Sequence, residues 1–390
     1  MNRRPLKFEE YQSAPYFPAL DGFRAASCLM IITWHADFLG WEQLRGYSGV
    51  AAFFVLSGYL ITTLALREEA RRGTLSLKAF YVRRTFRIFP GYYAVLILYC
   101  VLIYGLDLSF SLEKRPAMDA ALPYYLTYMN EYSLKPSMAA TGTYPPFFHS
   151  WSLGIEEKFY LIWPLVAFAL LHNNRVGRLA IASGIIAISY ALYDREIIGL
   201  LKLPSYTCIL VGCILAVLME HRPFYNKLSL LASTPVHIAS LALLVAVHLS
   251  QQFGQKDVYF TMYPYVVALF LIGLVAGRTP CTALFKTRVL SYLGLRTYGL
   301  YLVHVLAQNA VEMIAKPGPR VPLWSSPLYF LACLAVTLIA AEILHRTIEK
   351  PFIALGKRIS NRIVSTENAP AIVDHQRSPL LPAMGDAQRE

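Results

Sequence analysis

The sequence has 390 residues, 56% of them hydrophobic and 15% charged, with a mean hydropathy of +0.43 and a formal net charge of +12. A soluble domain carries about a quarter charged residues, so the shortfall argues against an ordinary water-soluble enzyme and points to lipid-facing surface, where charge is costly. The basic residues flank apolar segments instead of forming one long stripe, which sets nucleic acid aside in favour of membrane orientation.

The first twenty residues are polar and lack an apolar core with a cleavage site, so the first transmembrane helix is expected to lead insertion. Apolar runs near the roughly twenty residues that cross a bilayer fall at 20–40, 47–66, 88–105, 153–171, 179–195, 204–220, 230–249, 259–277, 289–314 and 326–344. The expected fold is an all-α integral membrane protein with about ten transmembrane helices. Within the long loop 106–152, the short apolar stretch 121–132 reads as interfacial or re-entrant. A cytoplasmic N-terminus places 25 of the 36 lysines and arginines inside and 10 outside, with Arg296 inside a helix, as the positive-inside rule requires. Ten crossings return the C-terminus to the same side. The six cysteines show no metal-ligand or redox spacing, so no metal is expected. After about residue 365 the chain turns Pro-containing and mixed in charge, the composition of a disordered tail.

Candidate chemistry begins in the first helix. Arg24 and His35 are eleven residues apart, close to three full turns, so both share one face about 16 Å apart along the axis. An ionisable group deep in a spanning helix usually lines a polar pathway, although His35 could be a packing residue and Arg24 a snorkelling anchor. In the second helix Gly49, Ser57 and Gly58 permit close helix approach. Ser57 as a nucleophile lacks an evident local base. Arg83, Arg84 and Arg87 form a cluster at i,i+3 and i,i+4 spacing, suited to phosphate or to plain positive-inside decoration. The outer loop ends in His149-Ser-Trp-Ser-Leu-Gly-Ile-Glu156-Glu157. A carboxylate there could orient His35, since a His–carboxylate pair is the usual apparatus for deprotonating a hydroxyl; it could equally serve only the helix dipole. Tyr301 and His304 share a face of a late helix, and a core role for His304 is as reasonable as a functional one.

In order, these motifs resemble membrane acyltransferase family 3, the integral membrane O-acyltransferases of cell-surface sugars and some secreted small molecules. The resemblance covers residues 18–356: Leu20-Asp21-Gly22-Phe23-Arg24 with His35 in Arg-x10-His spacing, FFVLSGYLIT, Phe80-Tyr81-x-Arg83-Arg84-x-x-Arg87-Ile88-x-Pro90, Trp151-Ser152-Leu153-x-x-Glu156-Glu157-x-Phe159-Tyr160, Tyr298-x-x-Tyr301-Leu302-x-His304 and Ile348-Glu349-Lys350-Pro351-Phe352. It implies a membrane acyltransferase domain over 18–356, between a cytoplasmic segment 1–17 and a basic, then disordered, cytoplasmic tail 357–390. It further implies His35 as the catalytic histidine, Arg24 as its partner in the motif, Glu156 as the acidic position, and Arg84 and Arg87 as arginines serving the donor. That donor would be acyl-coenzyme A from the cytosol, most simply acetyl-coenzyme A, and the localisation a bacterial cytoplasmic membrane. Lys158 stands where the family often has Gln, a change expected to matter little. Some relatives carry an extracytoplasmic hydrolase-like domain that is not seen here, so transfer would be completed in the membrane domain or by a partner.

The expected mechanism has His35, oriented by Glu156, as general base on an acceptor hydroxyl, with Arg24 holding donor phosphates or polarising the carbonyl. A covalent acyl-enzyme through Tyr or Ser stays open. The acceptor could be a surface or exported glycan, a lipid-linked sugar or a secreted small molecule, selected by loops 106–152 and 195–203. A solute transporter would share the helices and intramembrane charge, but no internal repeat supports it; a non-catalytic lipid-binding scaffold is the third class.

Overall fold

Inside hydrocarbon no water satisfies the backbone, so a chain this apolar must close its hydrogen bonds within helices. The computed structural model describes residues 4–36, 44–106, 109–192, 203–251, 256–315 and 326–367, and among these there are helices and no strand. In chain order they are α1 (Phe8–Ser13), α2 (Pro18–His35), α3 (Ser48–Arg72), α4 (Leu77–Tyr104), α5 (Ser109–Leu126), α6 (Leu134–Thr141), α7 (Trp151–Pro164) and α8 (Arg175–Ala191). There follow α9 (Leu203–Met219), α10 (Arg222–Leu228), α11 (Thr234–Ser250), α12 (Lys256–Ala276), α13 (Pro280–Phe285), α14 (Arg288–Gly294), α15 (Thr297–Ala315), α16 (Ser326–Leu344) and α17 (Lys350–Glu367).

Three described helices are long and apolar enough to cross a membrane: α3, α4 and the continuous run Pro327–Glu367, in which a π-helical turn joins α16 to α17. The pair α9 and α10 with the turn after it would be a fourth, bent by 109°. The run 327–367 covers about 60 Å at 1.5 Å per residue, twice the hydrocarbon thickness. It therefore carries on well past residue 344, and α17 packs along α4, with Gly356 under the Phe86 ring. The 356/357 boundary drawn from sequence falls inside this helix. Of the expected disordered tail, residues from 368 on lie outside the described residues.

Two further expectations change in detail. The span expected at 289–314 is broken between α14 and α15, so Arg296 sits at a junction and not within a helix. The break lets the Arg296 guanidinium pair with Glu342 on α16 while lying 3.6 Å over the Tyr292 ring. The expected long loop 106–152 is largely helical where described: the stretch 121–132 completes α5 and a 3-10 turn, and Tyr125 and Asn130 are fully buried.

Small residues set the helix spacing. A Cβ on Gly58 would lie 1.9 Å from the Ile209 carbonyl oxygen, and one on Gly212 would lie 2.0 Å from that of Val55, so α3 and α9 touch backbone to backbone. Gly49 lets α3 approach the Ser27 carbonyl of α2 in the same way, at 2.2 Å. These contacts hold α2 and α3 as the shared wall of two cavities.

Candidate active site

The first cavity, about 440 Å³, is lined by Arg24 from α2, Ser57 from α3, Arg84 and Arg87 from α4, and Glu156 and Tyr160 from α7. The helix repeat explains the set: Arg84 and Arg87 are one turn apart, as are Glu156 and Tyr160. Arg84 lies 4.2 Å over the Tyr160 ring. Neither Arg84 nor Arg87 makes a hydrogen bond or ion pair with another described residue, so two guanidinium groups face the cavity with their donors free. Arg24 is tied to Asp21 at 3.1 Å. Arg83 does not join them, because its guanidinium pairs with Glu68 at 2.7 Å and lies partly exposed. Ser57 shares a hydrogen bond with Tyr160, and Glu156 lines the cavity with both. On the far wall Glu349, in the π-helical turn, accepts from His345 Nδ1 at 2.8 Å.

The second cavity is larger, about 1160 Å³, and mainly apolar, with the aromatic rings of Trp34, Tyr47, Tyr99, Phe147 and Trp151 around His35 and His149. His35 is the last residue of α2 and faces the open cavity. Its ring centroid lies 5.0 Å from that of His304 and 6.3 Å from that of His149, and the latter two are 5.0 Å apart. His149 Nε2 bonds the Leu302 carbonyl at 3.1 Å, and His304 Nδ1 bonds the Tyr301 carbonyl at 2.7 Å. Among the described residues no three His, Cys, Asp or Glu converge as metal ligands.

Ahead of His149 the chain turns sharply: Phe147 has φ +67°. That conformation costs a bulky residue about 1–3 kcal/mol. Packing of its ring against Tyr92, Tyr99 and Tyr125 holds it there and presents the His149 ring.

The shared face of Arg24 and His35 is real but is divided between the two cavities. Ile31, Val50 and Tyr301 line both, so their side chains form the wall between. Tyr301 donates to the His149 carbonyl and bonds Ser152 at 2.7 Å. Glu156 is therefore placed with the arginines, and imidazoles surround His35 where a carboxylate was expected. The reason is axial distance: Glu156 follows His149 by seven residues, about 10 Å along a helix. His149 carried no assigned role in the sequence reading. It stands 114 positions from His35, and only the fold joins them. Lys158 is also more than a neutral departure, since it pairs with the buried Glu131 at 2.7 Å and bonds the Tyr128 carbonyl at 2.9 Å. Part of loop 195–203 lies outside the described residues.

A family described as an acyltransferase domain matches residues 17–346. The chain belongs to that family. It is 31% identical over 376 residues to O-acetyltransferase OatA of Staphylococcus aureus (strain NCTC 8325 / PS 47), covering 88% of this chain and 58% of that protein. It is 29% identical over 380 residues to a Bacillus subtilis (strain 168) protein named "Putative peptidoglycan O-acetyltransferase YrhL", covering 92% and 58% respectively. The chain thus spans less than two thirds of the length of these curated relatives. No solved structure matches it.

Proposed function

We propose that this protein is a membrane O-acetyltransferase that moves an acetyl group from acetyl-coenzyme A to a hydroxyl of an envelope glycan. The observation that carries the reading is the pairing of two cavities across one wall, with free guanidinium groups in one and an exposed imidazole in the other. Arg84 and Arg87 suit the donor's phosphates because a guanidinium offers planar, bidentate donors. Arg24, braced by Asp21, lines the same cavity and adds a third cation toward the donor. The aromatic faces of the second cavity suit an acceptor with apolar ring faces and polar edges, as sugars have.

At the wall, His35 takes the proton of the acceptor hydroxyl as its oxygen attacks the thioester carbonyl carbon. The carbon–sulfur bond then breaks, the ester forms, and the protonated His35 returns its proton to the departing thiolate. General base catalysis of this kind contributes about 10²–10⁴-fold. Glu156, beside Ser57 and Tyr160, serves the donor side as a counter-charge that keeps the arginines oriented. We place the protein in a bacterial cytoplasmic membrane with about ten crossings and both termini cytoplasmic, which puts the arginine cavity on the side where an anionic cytosolic donor arrives.

The test uses purified protein in detergent or nanodiscs with acetyl-labelled acetyl-coenzyme A and peptidoglycan fragments. Labelled ester on the glycan, lost in His35→Ala, is expected. Equal ester formation by His35→Ala would remove the histidine from the chemistry, and absence of transfer to any glycan would remove the acceptor class.

A further inference from the structure

Three imidazoles meet at the second cavity, and the hydrogen bonds of two of them, His149 and His304, assign the protons of those two rings. A backbone carbonyl only accepts. The nitrogen facing it must therefore donate, so His149 carries its proton on Nε2, toward Leu302, and His304 carries its proton on Nδ1, toward Tyr301. A neutral imidazole has one N–H. His304 Nε2 is then a bare acceptor, and it is buried with no hydrogen-bond partner. An acceptor left that way costs about 1–3 kcal/mol. The site has a clear candidate to relieve it.

His149 has already committed its only N–H. The neighbouring Gln308 donates to the Ile32 carbonyl at 2.9 Å, which ties α15 to the last turn of α2. Of the described rings against His304, those of His149 and Tyr301 already give their hydrogens to backbone carbonyls, which leaves His35, whose ring centroid is 5.0 Å from that of His304. The two rings also differ in position: His35 faces the open cavity, whereas His304 is fully buried behind it.

We infer that His304 is a positioning residue for His35: its Nε2 accepts the N–H of His35, leaving the other His35 nitrogen bare and turned to the cavity. This rests on the reading of His35 as general base, and it supplies the orienting partner that Glu156 does not. In the transfer step the acceptor's proton goes to the bare His35 nitrogen. The bond to His304 is kept while His35 is charged, and the proton then leaves with the thiolate, so His304 neither gains nor loses one. Its function is to hold the tautomer and the ring plane, as a third group does in nucleophile–base–orienter sets.

The experiment uses the full chain labelled with nitrogen-15 in its histidine rings, in nanodiscs, with ring nitrogen shifts assigned by comparison with His35→Gln and His304→Leu. In the wild type His304 should show the Nδ1–H tautomer, His149 the Nε2–H tautomer and His35 a single tautomer. His304→Leu should leave His35 in a mixture of both and lower kcat about 10- to 100-fold with the donor KM unchanged. His304→Gln, whose amide oxygen can take the place of Nε2, should restore a single tautomer and most of kcat. Unchanged His35 tautomers in His304→Leu, or a proton on Nε2 of wild-type His304, would overturn the proposal. Should His304→Leu not fold, the wild-type and His304→Gln spectra still decide. The ring shifts need no turnover, so they stand apart from any failure of the acetyltransferase reading.

Discussion

The two cavities are built in opposite ways. The arginine cavity takes its two free guanidinium groups from a single helix: Arg84 and Arg87 are one turn apart on α4 and reach the cavity with no hydrogen-bond or ion-pair partner among the described residues. The histidine cavity is assembled from three places far apart in the chain, the end of α2, the segment entering α7 and the middle of α15, and two of its three imidazoles, His149 and His304, are held by backbone carbonyls. The first is a local device for holding an anion. The second is a tertiary device for placing one ring precisely. Their difference teaches that binding and proton transfer should separate under mutation, with Ile31, Val50 and Tyr301 as the residues, among those described, that line both.

The sharpest way to break this comparison is through the arginines. Arg84→Ala combined with Arg87→Ala removes the free guanidinium groups, and hydrogen bonds to charged groups are worth about 1.5–3 kcal/mol each. Acetyl-coenzyme A binding, read by calorimetry, should weaken by about 100-fold or more, while the histidine ring shifts stay as in the wild type. A change in those shifts would show that the cavities are not independent.

The scaffold that presents Glu156 can be tested next. Lys158→Ala strands the buried Glu131 carboxylate, at a cost of about 3–5 kcal/mol for breaking a buried ion pair, read as a lower melting temperature in detergent. Replacing both partners together, Lys158→Gln with Glu131→Gln, should recover most of it. Gly58→Val forces a branched side chain against the Ile209 carbonyl, and overpacking of this kind costs about 1–3 kcal/mol. Its effect should appear in stability and in both cavities equally. Tyr301→Phe is the mildest change, removing a hydroxyl worth about 1 kcal/mol in hydrogen bonds. Because the ring still fills the wall, turnover should fall less than about tenfold with donor affinity preserved.

How far the sequence spoke follows the same division. Hydropathy located α3, α4 and α16 because their apolar runs are continuous, and the 3.6-residue repeat put Arg84 with Arg87 and Arg24 on the face of His35. The glycines of α3 announced close packing before their partners on α9 and α2 were known. The break before α15 was not legible, because Arg296 is stabilised by Glu342 on another helix and nothing local marks that pairing. Arg83 looked equivalent to Arg84 and Arg87 until Glu68 claimed it. His149 was in view as the first residue of a motif, yet periodicity relates residues only within one element, and its neighbours His35 and His304 lie in two others. A carboxylate was expected beside His35 because that is the common chemical pairing, and axial distance along α7 denied it.

The most direct measurement of the central claim is acetyl-coenzyme A binding and acetyl transfer by His35→Ala in nanodiscs, side by side with the wild type. The account predicts unchanged donor affinity with transfer reduced by at least about 10². Donor affinity lost together with transfer would contradict it, since the base and the arginines would then serve one undivided site.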